Sequence, residues 1–155
     1  MNPEAAETPP PLLGALLRRP AEAVHLRILR EADHAGFTDL VPAHMAVLRY
    51  PGPDGRRPSD LAAEVGATKQ AMNYLLGQLE RLGYLERRED PDDHRSKRVH
   101  LTERGRTLCS VIRRAVTDVE RELEDELGTR SFAQLRTLLV RLNDTETISG
   151  ERATP

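Results

Sequence analysis

The sequence predicts a mainly α-helical chain interrupted by one small β-hairpin, and three observations carry that expectation. Apolar residues recur at three-to-four spacing through most of the 155 positions, and the period shortens only around residues 84–101. Aromatic residues make up 3% and Trp is absent, so the core must be built from Leu, Val, Ala and Ile, a composition that favours helices. At this length a chain closes one core without staples, and a single folding unit over residues 12–145 is expected.

Residues 1–11 (MNPEAAETPPP) are Pro-rich and polar. They cannot bury enough apolar surface to offset the entropy of ordering, and mobility is expected there. From Leu12 to Ala35 the positions Leu13, Leu16, Leu17, Val24, Ile28, Leu29 and Ala32 predict a first helix, with Pro20 either bending or splitting it. Gly36 to Val41 reads as a turn. Pro42 then suits the first position of a helix that buries Met45, Val47 and Leu48 and ends at Tyr50, before the breaker cluster PGPDG.

Pro58 opens the next short helix, with Ser59 and Asp60 in its first turn and Gly66 closing it. Thr68 is placed to cap a longer helix with the stripe Ala71, Leu75, Leu79 and Leu82, which Gly83 terminates. Residues 84–88 and 97–101 are short strand-like runs around the polar turn EDPDDHRS, which predicts a two-stranded hairpin. Thr102 caps a helix whose stripe Leu108, Ile112, Val116, Val119, Leu123 and Leu127 runs for about six turns, more than one side of a small globule covers alone. Gly128 ends it. A last helix starts at Thr129 or Ser131 with the stripe Phe132, Leu135, Leu138, Leu139 and Leu142, and the tail 146–155 is weakly patterned.

The two central helices carry the pattern of a helix-turn-helix. Ala62 is small where a second helix crosses, Gly66 can adopt the left-handed conformation of the tight turn, and Met72 and Leu75 anchor the second helix from beneath. That leaves Thr68, Lys69, Gln70, Asn73 and Tyr74 facing outward. A major groove about 12 Å wide admits such a helix, where Gln and Asn can bond adenine bidentately and Lys can reach guanine or phosphate. The formal net charge is only −2, but from Arg56 to Arg106 there are 11 Lys and Arg against 9 Asp and Glu, so the middle is the relatively basic part.

The run from Arg57 to Gly105 resembles the DNA-binding lobe of the MarR family, a winged helix-turn-helix. Its most distinctive piece is DPDDHRSKRVHLT, which resembles the family's D-x-R followed by an apolar strand and Leu-Thr, with the motif's Asp at Asp93 and its Arg at Arg95. The resemblance implies that Arg95 enters the minor groove while Asp93 orients the wing through a salt bridge or hydrogen bonds, and Lys97 follows on the same strand. A narrow minor groove concentrates negative potential, so a guanidinium on a hairpin tip can enter it with little base specificity. His94 stands where many relatives carry a second Arg. Leu40-Val41-Pro42-Ala43 resembles the family's Leu-Thr-Pro-Ala helix start, with a valine that cannot cap in place of the hydroxyl.

The resemblance extends more loosely over residues 12–143. It implies a DNA-binding lobe over about 42–101 and N- and C-terminal dimerisation helices over about 12–35 and 103–143. It implies a homodimer on double-stranded DNA, and a small-molecule effector such as an aromatic or phenolic compound, for which His25, His44 and Met45 are candidate contacts. The expected function is a ligand-responsive repressor on a pseudo-palindromic operator. The alternative is a winged-helix module that binds protein.

No phosphate-binding Gly loop, nucleophile elbow or carboxylate pair suggests an enzyme, and the five His and one Cys lack metal-ligand spacing, so no metal and no cofactor are expected. Cys109, beside Leu108 on a helical stripe, reads as a structural thiol. No signal-peptide pattern and no run of about 18 apolar residues occurs, which makes the cytoplasm the expected location.

Overall fold

The computed structural model describes residues 12–48, 52–145 and 148. The expectations for residues 1–11, for a helix end at Tyr50 and for the tail apart from Ile148 lie outside the described residues. The order is α1 (Leu13–His34), a 3-10 helix (Pro42–Ala46), α2 (Pro58–Val65), α3 (Lys69–Arg81), β1 (Leu85–Asp90), β2 (Asp93–Leu101), α4 (Glu103–Leu127) and α5 (Thr129–Asn143). The chain divides into two compact units within α4, one ending at Ala115 and the other beginning at Val116.

In the first unit, α1 continues through Pro20 without a break and buries Ile28 and Ala32. The segment at Pro42 differs from expectation: it is a five-residue 3-10 helix rather than an α-helix. Its start explains the brevity. Val41 offers no side-chain cap, and in its place His44 Nδ1 accepts the Val41 N–H at 3.3 Å. Met45, Val47 and Leu48 are buried as the pattern required.

Gly66 takes φ 67°, the left-handed turn that ends α2, and Ala62 beneath it is buried. Thr68 caps α3 by accepting the Ala71 N–H at 3.1 Å. The buried stripe of α3 is Met72, Leu76 and Leu79, while Leu75 is half-buried and Ala71 exposed. The helix is therefore turned by about one residue from the expected stripe, because Met72 and Leu76, four apart, share the face that meets α2 and β1. Leu76, not Leu75, is the second anchor.

The hairpin exists but is longer than the alternation suggested. β1 and β2 pair antiparallel from Leu85↔Leu101 to Glu89↔Lys97, then shift so that Asp90 faces Asp93. Most of the expected turn EDPDDHRS is thus strand, and His94, Arg95 and Ser96 form the extra length on β2. Arg56 adds a bridge to Val99, with Gly55 N–H and Val99 N–H bonding Val99 O and Arg56 O. Asp54 accepts the Leu101 N–H at 2.8 Å, so residues 54–56 cover the open edge of β2.

Thr102 caps α4: its Oγ1 accepts the Gly105 N–H at 3.1 Å and donates to Gly83 O at 2.6 Å. Leu108, Ile112 and Ala115 carry the buried face of α4 within this unit. In the second unit, α4 ends at Gly128, φ 80°, and α5 follows with no buried residue. Leu135, Leu138, Leu139 and Val140 are exposed there, as are Leu12, Leu13, Leu16 and Leu17 at the start of α1.

Gly105 is fixed by close approach rather than by φ. A Cβ on it would sit 2.1 Å from the Tyr84 carbonyl oxygen and 3.1 Å from Leu101 Cδ2. Gly105→Ala is expected to destabilise the fold by about 3 kcal/mol, as overpacking against backbone does. Denaturant unfolding measures it.

Candidate nucleic-acid interface

The candidate interface is built on α3 and on the hairpin that follows it. Thr68, Lys69, Gln70, Asn73 and Tyr74 are all exposed, Tyr74 at 64%. The Thr68 oxygen is engaged in the cap, which leaves its O–H to donate outward. Asn73 is held from β1: Arg87 donates from NH1 to Asn73 Oδ1 at 3.1 Å and from NH2 to Asn73 O at 3.5 Å. Arg87 in turn lies 3.4 Å from Glu80.

At the far end of the hairpin, Asp93, Arg95 and Lys97 are exposed on β2. Asp93 Oδ1 accepts the Arg95 N–H at 3.1 Å, so the expected link between them runs through the backbone and shapes the tip locally. Exposed Glu89, Lys97's partner in register, lies 3.8 Å from His94.

What anchors the tip is a residue that the sequence reading passed over. Asp90, at 0% exposure, ends β1 with both carboxylate oxygens engaged. Arg57, the residue before α2, donates Nε–H to Oδ2 at 2.6 Å, Ser96 donates to Oδ2 at 3.3 Å, and the Asp92 N–H reaches Oδ1 at 3.0 Å. Arg98 sets its Nε 3.0 Å from Oδ1, an ion pair with its N–H poorly aligned on the oxygen, and extends NH2 to Asp92 at 2.9 Å. Burial alone would raise the Asp90 carboxyl, but the Asp92 amide and the Arg57 and Arg98 guanidinium groups outweigh it and hold it well below the usual carboxylate range. The one signal for this in the sequence is an Asp flanked by Arg57 and Arg98 at a distance, which periodicity does not detect.

A second cluster holds the hairpin's base. Tyr84, fully buried, donates its O–H to Asp39, and Arg104 donates to Asp39 at 2.7 Å and to the Tyr84 oxygen at 3.0 Å while lying 4.5 Å over its ring. The three join the loop before the 3-10 helix, the start of β1 and the first turn of α4.

His44 and Met45 are core residues, 3% and 4% exposed, and His44 Nε2 lies 3.2 Å from Gln78 Oε1. His25 is on the exposed face of α1. A separate groove along α1 is lined by Ala15, Leu16, Arg19, Pro20 and Ala23. Cys109 is half-buried, and burial pushes its thiol up, away from the reactive thiolate. Among the described residues, no three His, Cys, Asp or Glu gather as a metal site, and no helix is long and apolar enough to cross a membrane.

A helix-turn-helix whose second helix is capped and outward-polar, followed by a hairpin pinned back onto the first helix, is a winged helix. The MarR family model matches residues 38–96, which take in the 3-10 helix, α2, α3, β1 and the start of β2. That match marks the segment as MarR-like. It is 30% identical over 123 residues to the exopolysaccharide II synthesis transcriptional activator ExpG of Rhizobium meliloti, a match covering 79% of this chain and 62% of that protein. The chain therefore spans less than two thirds of that relative's length. Among solved structures, the transcriptional repressor CouR bound to a 23-mer DNA duplex is 26% identical with a TM-score of 0.67, over 84% of this chain and 92% of CouR. The Mycobacterium tuberculosis MarR family protein Rv2887 in complex with salicylic acid is 26% identical with a TM-score of 0.61, over 86% and 98%. The described elements, five α-helices and a two-stranded antiparallel hairpin, are those of the MarR winged helix.

Because the folded Asp90 carboxyl sits below its unfolded value, about 3.9, its contribution is complete above that value and is lost as the pH falls through the lowered one. Asp90→Asn is therefore expected to be less stable than the wild type at pH 7. The gap between the two should narrow as the pH is taken down to about 2, as read by denaturant unfolding at each pH.

Proposed function

We propose that this chain is a MarR-family DNA-binding transcriptional regulator that acts as a homodimer in the cytoplasm. α3 enters the major groove with Thr68, Lys69, Gln70, Asn73 and Tyr74, and the hairpin places Arg95 in the neighbouring minor groove, with Lys97 toward the phosphates. One observation carries the proposal. Asp90 ties the wing to the residue that opens α2, so the exposed guanidinium at the tip and the exposed start of α3 belong to one framed surface. Likeness to CouR, solved on a duplex, supports the same use.

Two copies are required by the reading of a pseudo-palindrome, because two recognition helices about one helical turn apart match successive half-sites. The exposed leucines of α1 and α5 supply apolar surface for that pairing, in the segments 12–35 and 103–143. Binding over a promoter represses. An aromatic or phenolic effector that prefers a different spacing of the helices releases the DNA, a role supported by the likeness to Rv2887 with salicylic acid. Any effector contact at His44 would have to displace Gln78.

The test is duplex binding against salt. With six or more phosphates contacted, affinity should fall about 10³-fold or more between about 50 and 200 mM salt. Arg95→Ala should weaken operator binding about tenfold with its melting temperature unchanged. A flat salt dependence, with binding to a protein partner instead, would point to the protein-interaction module.

A further inference from the structure

Asn73 sits where a recognition helix reads bases, and the structure commits one end of its amide before any duplex arrives. Arg87 reaches it from β1 with NH1 3.1 Å from Oδ1 and NH2 3.5 Å from the backbone oxygen of the same residue. A guanidinium has donors and no acceptor. The amide oxygen must therefore be the atom turned to Arg87. Arg87 is itself braced, with its Nε 3.4 Å from Glu80, two helical turns beyond Asn73 on α3. Asn73 is thus fixed at both its side chain and its carbonyl.

The consequence is chemical. An Asn that recognises adenine uses both ends of the amide, the oxygen accepting from N6 and the nitrogen donating to N7. An Asn whose oxygen is held by Arg87 leaves its NH2 as the end available to a base, while a bidentate approach to adenine would need that same oxygen. Guanine, with O6 and N7 as acceptors and no donor on its major-groove edge, fits that presentation best. Thymine O4 fits it less well, and adenine forfeits one of its two bonds.

We propose that Arg87 is a specificity-determining residue that sets Asn73 as a donor-only reader, so that the base it contacts is guanine rather than adenine. This rests on the DNA-binding reading above. It also replaces the adenine pairing expected of Asn73 from residue type alone, while leaving that of exposed Gln70 untouched.

The experiment is selection of bound sequences from a random duplex library with the full-length wild type, Asn73→Ala and Arg87→Met. The position read by Asn73 is the one whose preference disappears in Asn73→Ala. At that position the wild type is expected to favour guanine over adenine by about tenfold, with thymine between them. In Arg87→Met the freed oxygen should shift the preference toward adenine. Adenine at that position in the wild type, or no position that depends on Asn73, overturns the proposal. So does an unchanged preference in a folded Arg87→Met. Should Arg87→Met fail to fold, the comparison of wild type with Asn73→Ala still decides. Failure of the wild type to enrich any sequence would instead remove the DNA-binding reading itself.

Discussion

The buried carboxylate of Asp90 is the constraint on which the wing depends. A charge without solvent is costly to bury, and the cost is met only when the lone pairs find donors of good geometry. Here those donors are Arg57 ahead of α2, the Asp92 amide in the turn and Ser96 on β2, and Arg98 adds an ion pair. The register shift after Glu89 follows from this, because His94, Arg95 and Ser96 must bow out for Ser96 and Arg98 to turn back to Asp90. The bow is what puts Arg95 at an exposed tip. A charge buried for structural reasons thereby places a second charge where a polyanion can meet it.

The hairpin is held at its other end by different chemistry. Tyr84, Asp39 and Arg104 form a closed triangle of a phenol, a carboxylate and a guanidinium, and Gly105 brings the backbone of α4 into contact with Tyr84 O. With one end fastened to the loop before the 3-10 helix and to α4, and the other to α2, the wing has little freedom to swing. Arg87, midway along β1, then reaches α3 at a defined place. The order along the hairpin is therefore anchor, contact with the recognition helix, anchor, tip.

Much of this was legible in the sequence, and the reason differs by element. Gly66, Thr68, Thr102 and Gly128 each mark a helix boundary through a local requirement, a left-handed turn or a hydroxyl cap, and local requirements survive tertiary context. Pro42 marked a helix start correctly but not its kind, because Val41 gives no cap and a 3-10 turn is what the short segment sustains. The choice between Leu75 and Leu76 could not be read from spacing, since two adjacent stripes on α3 are both apolar and only the direction of α2 and β1 selects one. Asp90 was hidden for a deeper reason. In EDPDDHRS every residue looks solvated, and a carboxylate becomes a core residue only through partners at positions 57 and 98, which no local pattern brings together. The exposed outward faces of α3 and the tip were legible because they are defined by what the core leaves over. The tie of Asn73 to Arg87 was not.

The claim that Asp90 holds the wing in place is tested most directly by amide hydrogen exchange in the wild type and Asp90→Asn. The account predicts faster exchange confined to the hairpin amides from Asp92 to Arg98, with Met72 to Leu79 of α3 keeping their protection. Unchanged protection in the hairpin, or an equal loss through hairpin and α3 alike, would contradict it.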